Sequence, residues 1–299
     1  VRVVLPLSSR DPSVQLRMDA EPRTVAVGTP GFVTDLPVGE DNPSMRLVQV
    51  AGLANRYAHS SRRVSMGIRP ILPELGMVPF PEFSFGVNVS GAEEMRKAVR
   101  LFLKYGVDSI KLNLSGDNFT PQSPAETTWM TDAEVAAAAE EVRLRNKRII
   151  VHARSAASVK QALRHGIRLI YHASFTDTET LDMLEAARDE VFVAPGIAIL
   201  YAMLNEAEAY GVTRAIATDM GYQIEWDAAL ESLSKMHKRG IRILPGGDYG
   251  FAFTPHCQNA RDLEFFVKYL GFTPMEAIRC ATLYGGQVMM KPNELGVVK

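Results

Sequence analysis

Asp108-Ser-Ile-Lys111-Leu-Asn-Leu114, Ile149-Ile-Val-His152-Ala153, Leu169-Ile-Tyr-His172-Ala173 and Ile243-Leu-Pro-Gly-Gly-Asp248 are the four stretches on which the reading of this chain turns. Each is a short apolar run that carries, or closes on, one side chain able to hold a metal ion: a lysine, two histidines and an aspartate. A buried strand ending in a polar residue, repeated with helical sequence in between, is how a parallel barrel delivers functional groups to one rim. The stretches therefore predict that Lys111, His152, His172 and Asp248 converge on a divalent metal centre.

Working outward, Ala92 to Tyr105 sets Met95, Val99, Leu101, Phe102 and Leu103 on a helical period and stops at Gly106, after which a strand over 107–112 follows. Thr131-Asp-Ala-Glu134 reads as a capping box that opens an Ala-rich helix to about Arg145. Strand 148–153, helix 155–164, strand 168–172 and helix 177–188 come next, the last opening on Thr176-Asp-Thr-Glu179. Strand 191–195 leads into a longer excursion, Gly196 to Trp226, that holds Tyr201, Tyr210 and Tyr222. Helix 227–239, strand 241–246 and helices near 259–270 and 274–284 complete the order. Strands starting at 107, 148, 168, 191 and 241, with room for three upstream, predict an α/β fold of the (β/α)8 TIM-barrel kind. Residues 1–90 are the least legible, because Pro6, Pro12, Pro22, Pro30, Pro37 and Pro43 interrupt them. A strand within Val1–Leu7, a helix over Pro43–Ala58 and a strand at Ile68-Arg-Pro-Ile-Leu are the expected elements there.

At 299 residues the chain is long enough for one such barrel, about 250 residues being typical, so a single domain over 1–299 is expected. Lys and Arg (33) nearly balance Asp and Glu (34) without a basic stripe, so nucleic acid is not an expected partner; a small-molecule substrate is. Cys257 and Cys280 form no Cys-x-x-Cys, which suits a cytoplasmic protein with reduced thiols. No window approaches the ~18 apolar residues of a membrane span. Val1-Arg-Val-Val-Leu-Pro-Leu-Ser has neither an initiator Met nor a signal-peptide pattern, so the chain is expected to start partway through a gene product.

Lys, His, His and Asp in that order, each at a strand end, resemble the amidohydrolase superfamily. The flanking words sharpen the resemblance: Gly106-Val-Asp-Ser-Ile-Lys111, Ala162-Leu-Arg-His-Gly-Ile-Arg-Leu-Ile-Tyr-His172-Ala, Gly246-Gly-Asp248, Thr254-Pro-His256-Cys-Gln-Asn-Ala-Arg-Asp-Leu263 and Gly271-Phe-Thr-Pro-Met-Glu-Ala-Ile-Arg-Cys-Ala-Thr282. They look like the branch of imidazolonepropionase-like enzymes, metal-dependent prolidases and hydrolases of N-acyl, carbamate or arylurea compounds. The resemblance implies one or two divalent ions, zinc above all. Lys111 would be carboxylated as an anionic bridge, His152 and His172 would be ligands, and Asp248 would be both ligand and proton shuttle.

It also implies a substrate contact at Tyr201, with packing as the alternative; by position, His256 is a candidate pocket residue or a solvated loop histidine, and Arg154 either meets a substrate carboxylate through its bidentate fork or salt-bridges the rim. The superfamily's first-strand His-x-His is absent from this chain, as is most of the flanking β-sandwich. Apolar surface left by the latter would favour homo-oligomers. Three alternatives stay open: a phosphotriesterase- or lactonase-like hydrolase, a Schiff-base role for Lys111, and a non-catalytic barrel that binds ligand without turnover.

Overall fold

The computed structural model describes residues 89–104, 106–119 and 123–297, and before them the backbone of the strands β1 (Val3–Leu5), β2 (Thr24–Thr29), β3 (Phe32–Pro37), β4 (Met66–Pro70) and β5 (Gly86–Val89). Two compact units divide the chain, Val1–Leu53 and Ala54–Lys299. In the first, β1 runs parallel to β2 and β2 antiparallel to β3. The helix expected over Pro43–Ala58 lies outside the described residues.

The second unit alternates helix and strand. It continues with α1 (Ala92–Lys104), β6 (Ser109–Asn113), α2 (Asp132–Leu144), β7 (Arg148–Ala153), α3 (Ala156–Arg164), β8 (Leu169–His172), α4 (Thr178–Ala186) and β9 (Phe192–Ala194). After these come α5 (Ile197–Asn205), α6 (Arg214–Asp219), α7 (Tyr222–Lys238), β10 (Arg242–Ile243), α8 (Arg261–Leu270), α9 (Pro274–Ala281) and α10 (Leu283–Val288). Its strands lie in the order β10-β9-β8-β7-β6-β4-β5, every neighbouring pair parallel. This is an α/β fold on a parallel sheet. Among the described residues β5 pairs outside β4 rather than between β4 and β6, and no pair joins β5 to β10.

Local chemistry sets most boundaries. Thr131 caps α2, its hydroxyl accepting from the Glu134 N–H at 3.3 Å while the Glu134 carboxylate accepts from the Thr131 N–H at 2.8 Å, the reciprocal box read from the sequence. At α4 the cap is Asp177 rather than Thr176, because its carboxylate reaches the Thr180 N–H at 2.8 Å. The final strand is shorter than expected: β10 stops at Ile243, shortly before Pro245, which has no N–H to give a ladder.

The Gly196–Trp226 excursion is a correction, since it folds into α5, α6 and the first turn of α7. In α5 the run Ile197-Ala-Ile-Leu-Tyr-Ala-Met-Leu is apolar on all sides and buries all of these residues but Tyr201, so it shows no helical period to detect. Helix α7 starts behind Gly221, at φ 93°, with no side-chain cap to mark it. No helix of the described residues is long and apolar enough to cross a membrane.

Candidate active site

Strands β6, β7 and β8 lie side by side, with Lys111 opposite Ile150, Asn113 opposite His152, His152 opposite Tyr171 and Ala153 opposite His172. Residues opposite each other share a face and successive residues switch face. Lys111, His152 and Tyr171 therefore point to one side, and the Lys111 Nζ stands 5.6 Å from the centre of the Tyr171 ring. Strict alternation would send His172 to the other side. It does not go there, because φ is 80° at His172 and 52° at Ala173, and this left-handed pair ends the pleat. The His172 ring comes to 4.5 Å from that of His152, edge to face at 70°.

The two imidazoles are buried, 5% and 3% exposed. Nε2 of His152 lies 2.8 Å from the Gly116 carbonyl oxygen, which only accepts, so Nε2 carries the hydrogen and a neutral ring keeps its lone pair on Nδ1. His172 titrates well below the usual histidine value. Burial is the main cause, followed by the charges of Arg154, His152 and Lys111, while a hydrogen bond to the Pro195 carbonyl opposes them. It is neutral at physiological pH. Its Nδ1 is buried without a hydrogen-bond partner among the described residues. The backbone beside this nitrogen is Gly196, at φ 66°, where an added Cβ would sit 2.8 Å from Nδ1. Only glycine leaves that nitrogen clear.

Asp248 is exposed on the loop after β10, at φ 60°. Its charge reaches Arg154, Tyr171 and Tyr222. The loop is held from below. The Gly246 N–H donates to Asp262 Oδ2 at 2.7 Å, and the Gly247 carbonyl accepts from the Ile199 N–H at 3.1 Å, satisfying one of the open donors at the start of α5. Asp262 is 2% exposed, and burial pushes its carboxyl up to about 6 against the pull of hydrogen bonds from Tyr249 and Gly246.

The structure thus brings Lys111, His152 and His172 together on adjacent strands, while the charge of Asp248 is felt by Arg154 and Tyr171, the neighbours of those residues in sequence or across the sheet. Arg154, expected to meet a substrate carboxylate, is 1% exposed and ion-paired with Glu225 of α7. Tyr201 lies in α5 among Phe265, Trp226 and Tyr269, with the Arg261 guanidinium 5.1 Å from its ring centre. His256 is exposed on the loop before α8.

Among the described residues no three of His, Cys, Asp and Glu gather at ion-binding spacing. The fit to a divalent ion therefore rests on the imidazole pair, whose ring nitrogens are a donor type such ions take. His172 is neutral, each ring holds one nitrogen against a backbone carbonyl, and the unpartnered Nδ1 of His172 is buried.

No family model matches the chain. An ochratoxinase of Aspergillus niger is 27% identical over 197 residues, which is 64% of this chain and 38% of that protein. A solved amidohydrolase is 26% identical with a TM-score of 0.60, over 71% of this chain and 50% of the other. The chain is thus similar to amidohydrolases in sequence and in fold. A prolidase solved with N-methylphosphonate-L-proline shares the fold at a TM-score of 0.66 and 21% identity, over 79% of this chain and 58% of the other. The chain spans about two fifths of the length of the curated relative it matches (38%).

Four residues around this candidate site carry no role in the sequence reading: Glu225, Asp262, Asn118 and Ser174. Two of them left a signal. Glu225 lies on the buried stripe Tyr222, Glu225, Ala229, Ser232, Leu233, Met236, and Asp262 on the stripe Asp262, Phe265, Phe266, Leu270. A carboxylate on the apolar side of a helix needs buried donors. Asn118 and Ser174 stand in loops and carried no such pattern.

Proposed function

We propose that this chain is the barrel core of a metal-dependent amidohydrolase that cleaves the C–N bond of an amide or peptide-like substrate. The observation that carries the reading is the buried His152–His172 pair, His172 neutral, at the ends of adjacent parallel strands, with the Lys111 side chain on the same face as His152. His152 and His172 would hold the ion, and Lys111, once carboxylated, would add one negative charge shared over two oxygens to the set. When bound, a divalent ion such as Zn²⁺ supplies acidified water and a polarised carbonyl. Asp248 would take the proton from the attacking water and hand it to the departing nitrogen, a general base that turns general acid. Its exposure suits that exchange.

The names of the relatives, ochratoxinase and prolidase, support an N-acyl or Xaa-Pro type of substrate. A second reading, a barrel that binds ligand without turnover, draws on the absence of a third His, Cys, Asp or Glu beside the pair among the described residues. One experiment separates them. Zinc-loaded protein is assayed on parallel panels of N-acyl amino acids, dipeptides and lactones, with His172→Asn as control. Turnover of the amide panel that vanishes in His172→Asn, with circular dichroism unchanged, is the expected result. Equal turnover by the variant would overturn the site. A wild type that binds zinc and turns over none of the three panels would favour the binding module.

A further inference from the structure

Glu225 accepts from three donors, each placed two residues beyond a part of the histidine pair. Arg154, two after His152, pairs with its carboxylate; Ser174, two after His172, donates to Oε1 at 2.7 Å; and Asn118, two after the Gly116 that holds His152, donates to Oε2 at 2.9 Å. The carboxylate is 0% exposed, Ser174 0%, Arg154 1% and Asn118 7%, so the cluster is dry. Its members come from three strand-end segments that the backbone also ties together. The Leu114 N–H donates to the His152 carbonyl at 2.9 Å, Ala173 N–H to the Ala153 carbonyl at 2.9 Å, and Phe175 N–H to the Arg154 carbonyl at 2.8 Å. Asn118, like His172 and Ala173, holds a left-handed φ, of 62°. Three such residues in adjoining segments persist only where the surroundings over-determine them.

We infer that Glu225 is a positioning residue: a single carboxylate on α7 clamps the three loops that aim His152 and His172 at a common point. The inference rests on the proposed metallohydrolase reading for its consequence, and on the hydrogen-bond geometry alone for its substance. Losing one such partner behind a ligating histidine weakens metal binding roughly 10- to 100-fold. A buried carboxylate paired with an arginine would also cost stability if removed alone, whereas replacing both charges by apolar groups of similar size is often neutral or stabilising. That difference separates clamping from folding.

The test uses wild type, Glu225→Gln and the double variant Arg154→Met/Glu225→Leu, each with histidine labelled by ¹⁵N. Two readouts are taken: Co²⁺ affinity from the visible spectrum, and imidazole tautomers from long-range ¹H–¹⁵N spectra of the metal-free protein. The expected result is a double variant that melts near wild type, binds Co²⁺ roughly 10- to 100-fold more weakly, and shows the His152 and His172 signals shifted or exchange-broadened. Unchanged imidazole signals in a stably folded double variant would overturn the inference. So would Co²⁺ affinity that falls only in proportion to lost stability. If wild type binds no Co²⁺, the metallohydrolase reading fails, and the imidazole spectra still decide the role of Glu225.

Discussion

Replacing Asp262 by Asn measures what it costs to hold the Asp248 loop with a buried carboxylate. Burial raises the Asp262 carboxyl from 3.8 to about 6, while the Gly246 N–H and the Tyr249 hydroxyl pull it back down. A raised carboxyl value means the folded chain binds the proton more tightly than the unfolded chain. Stability therefore falls as the pH climbs between those two values and levels off above them. With one unit worth 1.36 kcal/mol, the shift corresponds to about 3 kcal/mol. Asn has the same outline: Oδ1 accepts from Gly246 N–H, and Nδ2 donates to the Tyr249 oxygen, with nothing to ionise.

Relative to wild type, Asp262→Asn should thus gain roughly 2–3 kcal/mol between about pH 4 and pH 8, judged by that same conversion. Urea unfolding of chelator-treated protein, followed by tryptophan fluorescence at both pH values, reads this double difference directly. A constant gap between variant and wild type across the range, or a variant that loses ground as pH rises, would refute the burial argument.

Gly196→Ala should force the His172 ring aside, since the new Cβ would lie 2.8 Å from Nδ1 and 3.1 Å from Cε1 at φ 66°. The expected loss of zinc affinity is about tenfold or more, as for other disturbances of a ligand's support, and isothermal titration with unchanged affinity would contradict it. Glu141 is held down to about 2 by Arg100 first, with Arg145 and Arg96 adding to the pull. Its stabilisation is present above 4.5 and lost as pH falls through about 2. Glu141→Gln should accordingly cost about 2 kcal/mol near neutral pH, after allowing for the solvent that screens its exposed arginine partners, and nothing near pH 2; a melting-temperature deficit that persists in acid would count against the pairing. Gly247→Ala brings a Cβ to 2.6 Å from both the Ala198 Cβ and the Asp262 Oδ1, so it should lower turnover by displacing Asp248, and wild-type kcat would show the loop to be adaptable.

The sheet was readable because its strands are short apolar runs that each carry or end on one polar residue. All five strands expected from residue 107 onward are present, at Ser109–Asn113, Arg148–Ala153, Leu169–His172, Phe192–Ala194 and Arg242–Ile243. What the strand pattern could not convey is the side to which His172 turns. Period-two logic puts it opposite His152, and the left-handed backbone at His172 and Ala173 reverses that. Nothing in Tyr-His-Ala-Ser announces such a reversal, because neither residue is a glycine. The excursion after β9 was misread for the opposite reason. With every side of α5 apolar and α7 opening on an uncapped glycine, neither period nor cap was there to count. Placing the start of that helix after Trp226 then left Glu225 in a loop, where an acid is unremarkable.

Moved onto the helix, the same glutamate means something different. An unpaired carboxylate on a buried stripe costs several kcal/mol, more than the neighbouring apolar contacts of one turn return. A folded chain that keeps one there must bring donors to it. For Glu225 those donors are Arg154, Ser174 and Asn118, and for Asp262 they are the Gly246 N–H and Tyr249. In both cases the donors come from the loops that carry the predicted ligands, and in both the acid comes from a helix packed beneath. Strand ends supply reactive groups but leave their loops free to wander. A buried acid fixes several loops at once, because any loop that strays leaves charge unpaired in a dry interior. The helical stripes of α7 and α8 are therefore as much a part of the site as the strand termini, and an acid interrupting an apolar stripe is the place to look for such a clamp in the sequence.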